Sequence, residues 1–126
     1  MSIKHNRQKS KYGSRKITKD GITFDSVREY NRYCELKLLE RAGKIEKLNR
    51  QVPYTLIPAQ YRTVIEPETR SERRVCIERA VTYKADFTYW QDGKFVVEDV
   101  KGFKTKEYVI KRKLMLHIYD IQIKEV

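Results

Sequence analysis

Two neighbouring stretches of the chain have the composition of β-strands. Residues 83–90 alternate between apolar and polar side chains, and residues 94–101 are rich in β-branched and aromatic side chains. Asp92 and Gly93 lie between them and favour a two-residue hairpin turn, because a type I′ turn needs positive φ at both positions. The pattern therefore predicts a hairpin of defined register. Three pairs of residues face each other in that register: Trp90 with Phe95, Tyr89 with Val96, and Asp86 with Asp99.

Asp86 and Asp99 are the residues of this hairpin that could bind a metal ion or take part in catalysis. Directly opposed residues have Cβ atoms roughly 4.5 to 5.5 Å apart, and like charges placed this close destabilise the pair. Lys101 lies two positions after Asp99 and is expected on the same sheet face. Two carboxylates and a lysine suit a Mg²⁺ site for phosphodiester hydrolysis, since hard cations bind oxygen ligands. The alternative is a solvated sheet face on which these charges simply meet water.

A helix is predicted after Asp25 and Ser26, either of which can cap it. Glu29 stands three residues after Ser26, as in a capping box, and Gly43 supplies a stop. Glu29 is expected either in this capping role or in a semi-buried groove. The helix is apolar on two sides, one with Val27, Tyr30, Cys34 and Leu38 and the other with Tyr33 and Leu36 next to Glu29.

Three further segments lead up to the hairpin. Residues 52–57 predict a strand, with Pro53 at its start or at a sheet edge. Residues 60–74 are strongly charged and predict a long loop or irregular hairpin that contacts DNA. Residues 75–90 predict one long strand, bent near Arg79.

The last part of the chain predicts a second helix and a closing strand. Thr105 can cap the helix, and residues 118–126 predict a strand added in parallel after a helical crossover. The predicted order is therefore α-β-β-β-α-β, a mixed α/β (α+β) fold. In the second helix Val109, Ile110, Leu114 and Leu116 are expected to face inward, and Tyr108, Lys111 and Arg112 outward.

Charge is distributed unevenly along the chain. The 126 residues are the size of one domain and carry 28 basic and 17 acidic side chains, a net charge of +11. Seven of the basic side chains and none of the acidic ones lie in residues 1–19. Such a segment predicts a polyphosphate partner, because each neutralised phosphate releases counterions, although a solubilising tail is the alternative. We expect a flexible basic arm over residues 1–20 and a folded domain over residues 21–126.

Composition argues against several other classes of protein. No apolar run approaches the ~20 residues needed to span a bilayer, and no apolar segment follows the basic N-terminus, so we expect a soluble cytoplasmic protein. Cys34 and Cys76 are isolated thiols, and His5 and His117 are the only histidines. Structural zinc needs four nitrogen or sulfur ligands at characteristic spacing, so we expect neither a zinc cluster nor a histidine-metal nuclease.

The segments around the two aspartates resemble a known nuclease signature. Ala85-Asp86, a hairpin and then Asp99-Val100-Lys101 resemble the PD-(D/E)XK motif of restriction-endonuclease-like nucleases, with Ala85 in place of the usual proline. From about Lys11 onward the chain also resembles small phage-encoded nucleases, which are similar in core to Holliday junction resolvases and transposon-end nucleases. This longer resemblance is carried by residues 24–29, 43–45, Gln51, residues 85–87, residues 98–102, Thr105, Tyr108 and residues 111–114.

The resemblance implies a restriction-endonuclease-like αβββαβ core, in which helices flank a central mixed sheet, and cleavage of DNA with Mg²⁺ or Mn²⁺. It implies that Asp86 and Asp99 hold the metal ion and that the Val100 carbonyl adds a ligand. Lys101 would orient or deprotonate the attacking water.

The resemblance also implies a carboxylate from the first helix. Glu29 matches that position, with Glu35 as the alternative, and would bind a second metal ion or the attacking water. Gln51 is expected to make a supporting polar contact near the site. The residues expected to contact DNA are Lys4, Arg7, Lys9, Lys11, Arg15, Lys16, Lys19, Gln51, Lys111 and Arg112.

These features together predict a Mg²⁺-dependent DNA endonuclease. The resemblance favours a Holliday junction resolvase-like enzyme in phage DNA recombination or replication, acting in the bacterial host cytoplasm. A non-catalytic basic nucleic-acid-binding protein would explain the charge and the tyrosines, but not the two carboxylates and lysine. A small-molecule phosphohydrolase would explain those three residues but not the basic arm. Symmetric cutting of two strands predicts a homodimer.

Overall fold

The computed structural model describes residues 15–126, which form two helices and eight strands. In chain order these are β1 (Ile17–Lys19), β2 (Ile22–Phe24), α1 (Val27–Arg41), β3 (Glu46–Ile57), β4 (Gln60–Ile65), β5 (Glu72–Glu78), β6 (Val81–Gln91), β7 (Lys94–Asp99), α2 (Lys106–Tyr119) and β8 (Lys124–Glu125). Four strands form the central sheet in the order β3-β6-β7-β8, while β1 with β2 and β4 with β5 form two separate sheets. The β3–β6 and β6–β7 pairs are antiparallel, and β7 and β8 are parallel.

The fold class is the predicted mixture of helices and strands around a mixed sheet. Apart from the two small hairpins, the elements follow one another as α1, β3, β6, β7, α2 and β8, which is the predicted α-β-β-β-α-β order. The crossover through α2 permits parallel pairing of β7 with β8, since parallel neighbours need a long connection. Pro53 lies in β3, an edge strand of the sheet, as its missing N–H requires.

The β6–β7 hairpin has the predicted register. Asp92 and Gly93 have φ values of 51° and 73°, in the left-handed region that a type I′ turn requires. Asp86 and Asp99 lie one step beyond the last regular pair of this ladder. From the turn outward, the regular pairs are Gln91–Lys94, Trp90–Phe95, Tyr89–Val96, Thr88–Val97 and Phe87–Glu98.

A second Asp-Gly turn shortens the predicted arm. Asp20 and Gly21 have φ values of 52° and 78° and connect β1 to β2. Among the described residues, the first strand therefore begins at Ile17, within the segment predicted as the arm. The rest of the expected arm, residues 1–14, lies outside the described residues.

The segment between β3 and β6 differs from the prediction. The long strand expected over residues 75–90 is in fact two strands in different sheets, because β5 ends at Glu78 and β6 begins at Val81. The alternative of a hairpin, left open for residues 60–74, is correct, since β4 pairs with β5. All of β4 is exposed, and a strand without a buried face lacks the apolar alternation by which strands are recognised.

Helix α1 begins where predicted. Ser26 is its N-cap, and the Ser26 hydroxyl accepts the N–H of Glu29 at 3.1 Å. Glu29 and Leu36 are buried, whereas Val27 and Leu38 are exposed. Of the two apolar sides, the one next to Glu29 therefore packs inward, and the burial expected for Glu29 is confirmed.

Helix α2 is capped as predicted, and its inward face was predicted correctly in part, because Val109 and Leu114 pack against a buried cluster as expected. Thr105 accepts the N–H of Tyr108 at 3.0 Å. Tyr108 and Met115 are buried, whereas Ile110 and Leu116 are exposed. The inner face of α2 is therefore centred on Tyr108 and Met115.

Helix α2 also forms an ion pair with the central sheet. Arg112 turns towards the sheet and pairs with Glu125 of β8 at 3.2 Å, so the inner face carries a charge as well as apolar groups. The helix also continues through Tyr119 and ends at Asp120, which has a φ of 55°. The strand expected over residues 118–126 is consequently reduced to β8.

Two buried clusters form the core and meet close to Asp86. Tyr83 and Ala85 of β6 belong to the cluster under α2, and Phe87 and Tyr89 belong to the cluster under α1. Asp86 lies between Ala85 and Phe87, so the boundary between the two clusters passes through this residue. A polar side chain is tolerated at such a boundary because neither cluster has to enclose it.

A buried ion pair joins α1 to β7 beside this boundary. Arg32 donates through Nε and Nη2 to the two carboxylate oxygens of Glu98, the second contact at 3.0 Å. The Tyr89 hydroxyl donates to Glu98 Oε2 at 2.6 Å, and Glu98 is fully buried. Since a buried carboxylate requires a counter-charge and hydrogen bonds, this pair fixes α1 against β7.

Glu98→Gln should destabilise the domain by roughly 3–5 kcal/mol, because it removes the buried counter-charge of Arg32, which then keeps only its contact with the exposed Glu35 carboxylate at 2.9 Å. Urea unfolding followed by circular dichroism measures the change. Glu107→Gln is the matched control, since the Glu107 carboxylate forms an exposed pair with Lys111 at 3.0 Å and should change stability by less than about 1 kcal/mol. Equal losses in the two variants would contradict the anchoring role of Arg32 and Glu98.

Candidate active site

Asp86 and Asp99 are neighbouring carboxylates at the end of the β6–β7 ladder. Asp99 is only 2% exposed and Asp86 is half-buried. The Tyr83 hydroxyl donates to Asp99 Oδ2 at 2.7 Å. The backbone N–H of Val100 donates to Asp86 Oδ2 at 2.8 Å. Each carboxylate therefore has one oxygen oriented by the protein.

The two carboxylates interact unfavourably in the absence of a cation. Burial, followed by the neighbouring Asp99 carboxylate, raises the pKa of Asp86 to about 9, from an ordinary value of 3.8. The Val100 N–H opposes this rise but does not cancel it. At neutral pH the Asp86–Asp99 pair therefore favours a bound proton, or a cation in its place, between the two carboxyl groups.

Gln51 connects this pair to helix α1. It lies in β3 opposite Asp86, where regular pairing with β6 is interrupted, and its φ is 51°. A non-glycine residue at positive φ is strained, and such residues concentrate at functional sites. Gln51 Nε2 donates to Glu29 Oε1 at 2.8 Å and lies 3.5 Å from Asp86 Oδ1. The polar contact expected for Gln51 is therefore present.

Glu29 combines the two roles considered for it. Its Oε2 accepts the backbone N–H of Asp25 at 3.1 Å, a contact at the start of the helix, while Oε1 accepts the Gln51 amide. Burial is the main cause of a raised pKa for Glu29, and the guanidinium of Arg50, 3.7 Å away, partly offsets it. Glu29 lines the same cavity as Asp86, whereas the more exposed Glu35 lines a separate cavity of about 280 Å³.

Lys101 lies on the same side as Asp99, as the alternation predicts. Its Nζ is 3.4 Å from Asp99 Oδ1 and 4.3 Å from the centroid of the Tyr108 ring. Both contacts attract a positive charge, because the face of an aromatic ring is electron-rich. The backbone N–H of Lys101 also donates to the backbone carbonyl of Val126 at 3.1 Å. The ammonium group is therefore held in place by its side chain and by its backbone.

Two tyrosines enclose Asp99. Burial, followed by the negative charge of Asp99, raises the pKa of both Tyr83 and Tyr108 well above the usual range. Both hydroxyls therefore stay protonated at neutral pH. Tyr83 acts as a hydrogen-bond donor to Asp99, while Tyr108 presents its ring to Lys101.

These groups border a cavity of about 720 Å³. Asp86, Glu29 and Lys101 are in its wall together with two arginines, Arg15 and Arg28. Asp99 is not among the residues of the wall. The volume is in the range of ligand sites, roughly 300–1,000 Å³, and the wall carries three basic side chains, Arg15, Arg28 and Lys101, and three acidic ones, Asp25, Glu29 and Asp86. A phosphate bound together with a cation suits this combination of charges.

The donor set fits a hard divalent cation that is completed by water or substrate. Mg²⁺ commonly binds one or two carboxylates and keeps several waters, and Asp86 and Asp99 supply that number. In the part of the chain that the structure describes, no group of three or more His, Cys, Asp or Glu side chains is arranged to hold a metal ion. Glu29 reaches Asp86 through the Gln51 amide, so any further ligands would be the Val100 carbonyl, water or a phosphate.

The residues expected to contact DNA are distributed unevenly. Arg15 lines the cavity, and Lys16 and Lys19 are exposed in or beside β1. Lys111 and Arg112 are each paired with a carboxylate of the protein, at 3.0 and 3.2 Å, which reduces the charge that they offer to a ligand. Gln51, also predicted to contact DNA, instead contacts Glu29 and lies near Asp86. The remaining predicted contacts lie outside the described residues: Lys4, Arg7, Lys9 and Lys11.

Several residues of the site were not recognised from the sequence. Nothing in the pattern shows that the Tyr83 hydroxyl reaches Asp99. Arg28 lies in residues 24–29, which carry the nuclease resemblance, but no role was predicted for it. Tyr108 lies in a segment that carries the nuclease resemblance, which was the available signal, but the apolar pattern of α2 placed it outside. Phe103 lines the cavity after the end of β7 and follows no recognisable motif.

Fold and site together define a mixed α and β domain with an acidic pair and a lysine at one end of a central sheet. A family model described as protein of unknown function (DUF1064) matches residues 9–125. Since this match covers nearly the whole chain, the protein belongs to that family. No curated protein and no solved structure matches the chain.

Asp86→Asn should stabilise the metal-free protein at neutral and alkaline pH. The pKa of Asp86 is raised in the folded state to about 9, so its contribution to stability is fully present below the unfolded pKa, near 4. That contribution is lost as pH rises through the folded pKa, because the carboxyl must then ionise next to Asp99. Thermal unfolding in chelator between about pH 5 and 9 should therefore show a falling wild-type curve and a flatter Asp86→Asn curve.

Asp92→Asn is the control for this measurement. Asp92 is exposed in the turn, and asparagine tolerates its positive φ. Its pH profile should parallel that of the wild type. Parallel profiles for the wild type and Asp86→Asn would instead show that the pKa of Asp86 is not raised in the folded protein.

Proposed function

We propose that this protein is a metal-dependent endodeoxyribonuclease. The observation that carries the proposal is the placement of Asp86, Asp99 and Lys101 together beside a cavity whose wall also contains Arg15 and Arg28. The acidic pair repels a phosphate unless a cation lies between them, so the arrangement suits hydrolysis better than simple anion binding. The resemblance to PD-(D/E)XK nucleases supports the same conclusion from these residues.

Asp86 and Asp99 would hold Mg²⁺ or Mn²⁺, with the Val100 carbonyl as a further ligand. When bound, such an ion supplies Lewis-acid stabilisation of charge on a phosphate oxygen. Tyr83 and the Val100 N–H orient the two carboxylates by donating to one oxygen of each. The other oxygen of each carboxylate has a longer contact, Asp99 Oδ1 with Lys101 Nζ at 3.4 Å and Asp86 Oδ1 with Gln51 Nε2 at 3.5 Å. A bound cation would replace or share these two contacts.

Lys101 acts as a fixed positive charge in this proposal. Its ammonium group contacts the Asp99 carboxylate and the Tyr108 ring, both of which attract a positive charge. We therefore favour charge stabilisation and water orientation over deprotonation of water by Lys101. A preoriented cation stabilises negative charge that develops on the phosphate without further reorganisation.

Glu29 is the group of the wall that can accept a proton from an attacking water. Its pKa is raised mainly by burial, which makes the carboxylate a better base than an exposed one. Gln51 holds Glu29 Oε1 and thereby fixes the carboxylate relative to Asp86. Asp25 holds the other oxygen through its backbone N–H.

The substrate in this proposal is DNA, bound through its backbone. Arg15 and Arg28 in the cavity wall can pair with phosphates next to the cleaved bond. The predicted basic arm would add further phosphate contacts. Branched DNA of the Holliday junction kind remains our preferred substrate, in phage recombination or replication, with a homodimer cutting two strands in the bacterial host cytoplasm. Within residues 15–126, neither helix is long and apolar enough to cross a membrane.

A non-catalytic nucleic-acid-binding protein is the second candidate. It is favoured by one observation, that Asp86 and Asp99 are not joined by a third direct metal ligand among the described side chains. The two candidates differ in a simple measurement. A gel assay of the purified protein with Mg²⁺ on matched junction, flap, duplex and single-stranded DNA either shows products or does not.

Asp86→Asn and Asp99→Asn should abolish cleavage while DNA binding is retained or strengthened, because each removes a cation ligand and a charge that repels phosphate. Cleavage by the wild type should stop in excess chelator and return with Mg²⁺ or Mn²⁺. Product formation on gels and DNA affinity by fluorescence anisotropy should be measured on the same preparations, with Asp92→Asn as the control. Wild-type cleavage by Asp99→Asn, or undiminished cleavage in chelator, would exclude this site.

Lys101→Arg should retain part of the turnover and Lys101→Ala should lose at least about 100-fold, since a fixed positive charge is the property required. Metal affinity should change little in both variants. Single-turnover rates and Mn²⁺ titrations measure these two effects separately. Lys94→Ala, at the opposite end of β7, should behave like the wild type. Equal losses for Lys101→Arg and Lys101→Ala would favour a lysine that transfers a proton.

Deletion of residues 1–14 should weaken DNA binding, because it removes four basic side chains, Lys4, Arg7, Lys9 and Lys11. The deletion ends before β1, so the described fold remains complete. The slope of log affinity against log salt should become less steep by up to about four. An unchanged slope would show that these residues make no phosphate contacts.

A further inference from the structure

The β4–β5 hairpin, residues 60–78, is separate from the rest of the fold. It forms its own two-stranded sheet and pairs with no strand of the central sheet. Neither buried cluster contains any of its side chains. Every residue of β4 and six of the seven residues of β5 are exposed. Isolated two-stranded hairpins are marginally stable in water, so this hairpin needs a covering surface.

The hairpin carries apolar side chains on both faces. Val64 and Ile65 are adjacent in β4 and therefore point to opposite faces, with exposures of 40% and 62%. Tyr61 and Ile77 are both 47% exposed. Single exposed apolar residues are common, but several on one short element are typical of an interaction surface.

The charges of the hairpin are balanced, unlike those of the rest of the chain. Residues 60–78 contain four arginines and four glutamates, so the net charge of +11 belongs entirely to the remaining residues. Among the described side chains, the one ion pair within the hairpin joins Arg73 to Glu66 at 3.1 Å. Arg74 lies over the Tyr61 ring at 4.1 Å. Arg62, Arg70, Glu68, Glu72 and Glu78 make no ion pair in the described part of the chain.

We propose that this hairpin is a homodimer interface and that a second copy of the chain covers it. Two chains that each carry +11 repel each other, and the hairpin is the neutral segment through which they can approach. A two-fold interface brings the same surface of both chains together, so arginines of one copy can meet glutamates of the other. The apolar residues would then be shielded from water by their counterparts.

DNA is a less suitable partner for the hairpin. A DNA-binding surface is strongly basic, because its affinity comes largely from cations that neutralise phosphates. Four glutamates at this surface would repel the backbone, and the one aromatic ring of the hairpin, Tyr61, is already covered by Arg74. The proposal concerns how two copies meet and does not depend on catalysis.

The test is the oligomeric state of the full chain without DNA or added metal. We expect a reversible monomer–dimer equilibrium by sedimentation velocity. The triple variant Val64→Thr, Ile65→Thr, Ile77→Thr should weaken the dimer at least about tenfold, since threonine keeps strand propensity but removes apolar surface. Leu38→Gln is the matched control, because Leu38 is 64% exposed on α1, and it should leave the equilibrium unchanged.

Three outcomes would overturn the proposal. The first is a wild-type protein that stays monomeric up to about 100 µM, because its dimer affinity would then be weaker than a specific dimer requires. The second is a triple variant that dimerises as the wild type does. The third is a triple variant that loses DNA affinity without any change in mass, which would assign the hairpin to DNA.

A second variant covers the case in which the triple variant fails to fold. Replacement of residues 59–79 by a short glycine-serine linker removes the hairpin and no residue of either buried cluster. This variant should unfold cooperatively and remain monomeric at concentrations where the wild type is dimeric. A dimeric deletion variant would also overturn the proposal.

Discussion

The closeness of two carboxylates, Asp86 and Asp99, is the constraint on which the site depends. The register set by the Asp92-Gly93 turn brings them to neighbouring strand positions, and burial makes their repulsion more costly than it would be in water. The contacts around them either orient these charges or offset them. Such a pair persists in a folded domain when the surrounding structure is stable enough to tolerate it. It also creates a strong preference for a cation between the two side chains.

The surrounding elements hold this pair in a defined environment. The buried Arg32–Glu98 ion pair fixes α1 against β7, and α1 brings Glu29 to the cavity that Asp86 lines. Gln51 links Glu29 to Asp86 from a strained backbone position in β3. The side of α1 that packs inward is therefore the one with a buried carboxylate rather than the more apolar one. Packing and the proposed chemistry thus depend on the same few contacts.

Much of the fold and the centre of the site could be predicted from the sequence, and the failures have physical causes. Asp92-Gly93 gave the hairpin register because its turn type restricts φ, and the same signal at Asp20-Gly21 was overlooked within a basic segment. The β4–β5 hairpin is exposed on all sides, so no apolar alternation distinguishes it from a loop. In α2 the inner face includes Arg112, which meets Glu125 only in the folded chain, and Tyr108, whose ring lies under Lys101. The left-handed backbone of Gln51 and the Tyr83–Asp99 hydrogen bond depend on distant residues, which no local pattern reveals.

The most direct measurement is an anomalous difference map from crystals of the full chain grown with Mn²⁺. A peak within coordinating distance of carboxylate oxygens from both Asp86 and Asp99 is predicted, and the peak should be lost in crystals of Asp99→Asn. A peak bound elsewhere, or no peak at Mn²⁺ concentrations that support cleavage, would contradict the claim that these two carboxylates share a catalytic cation.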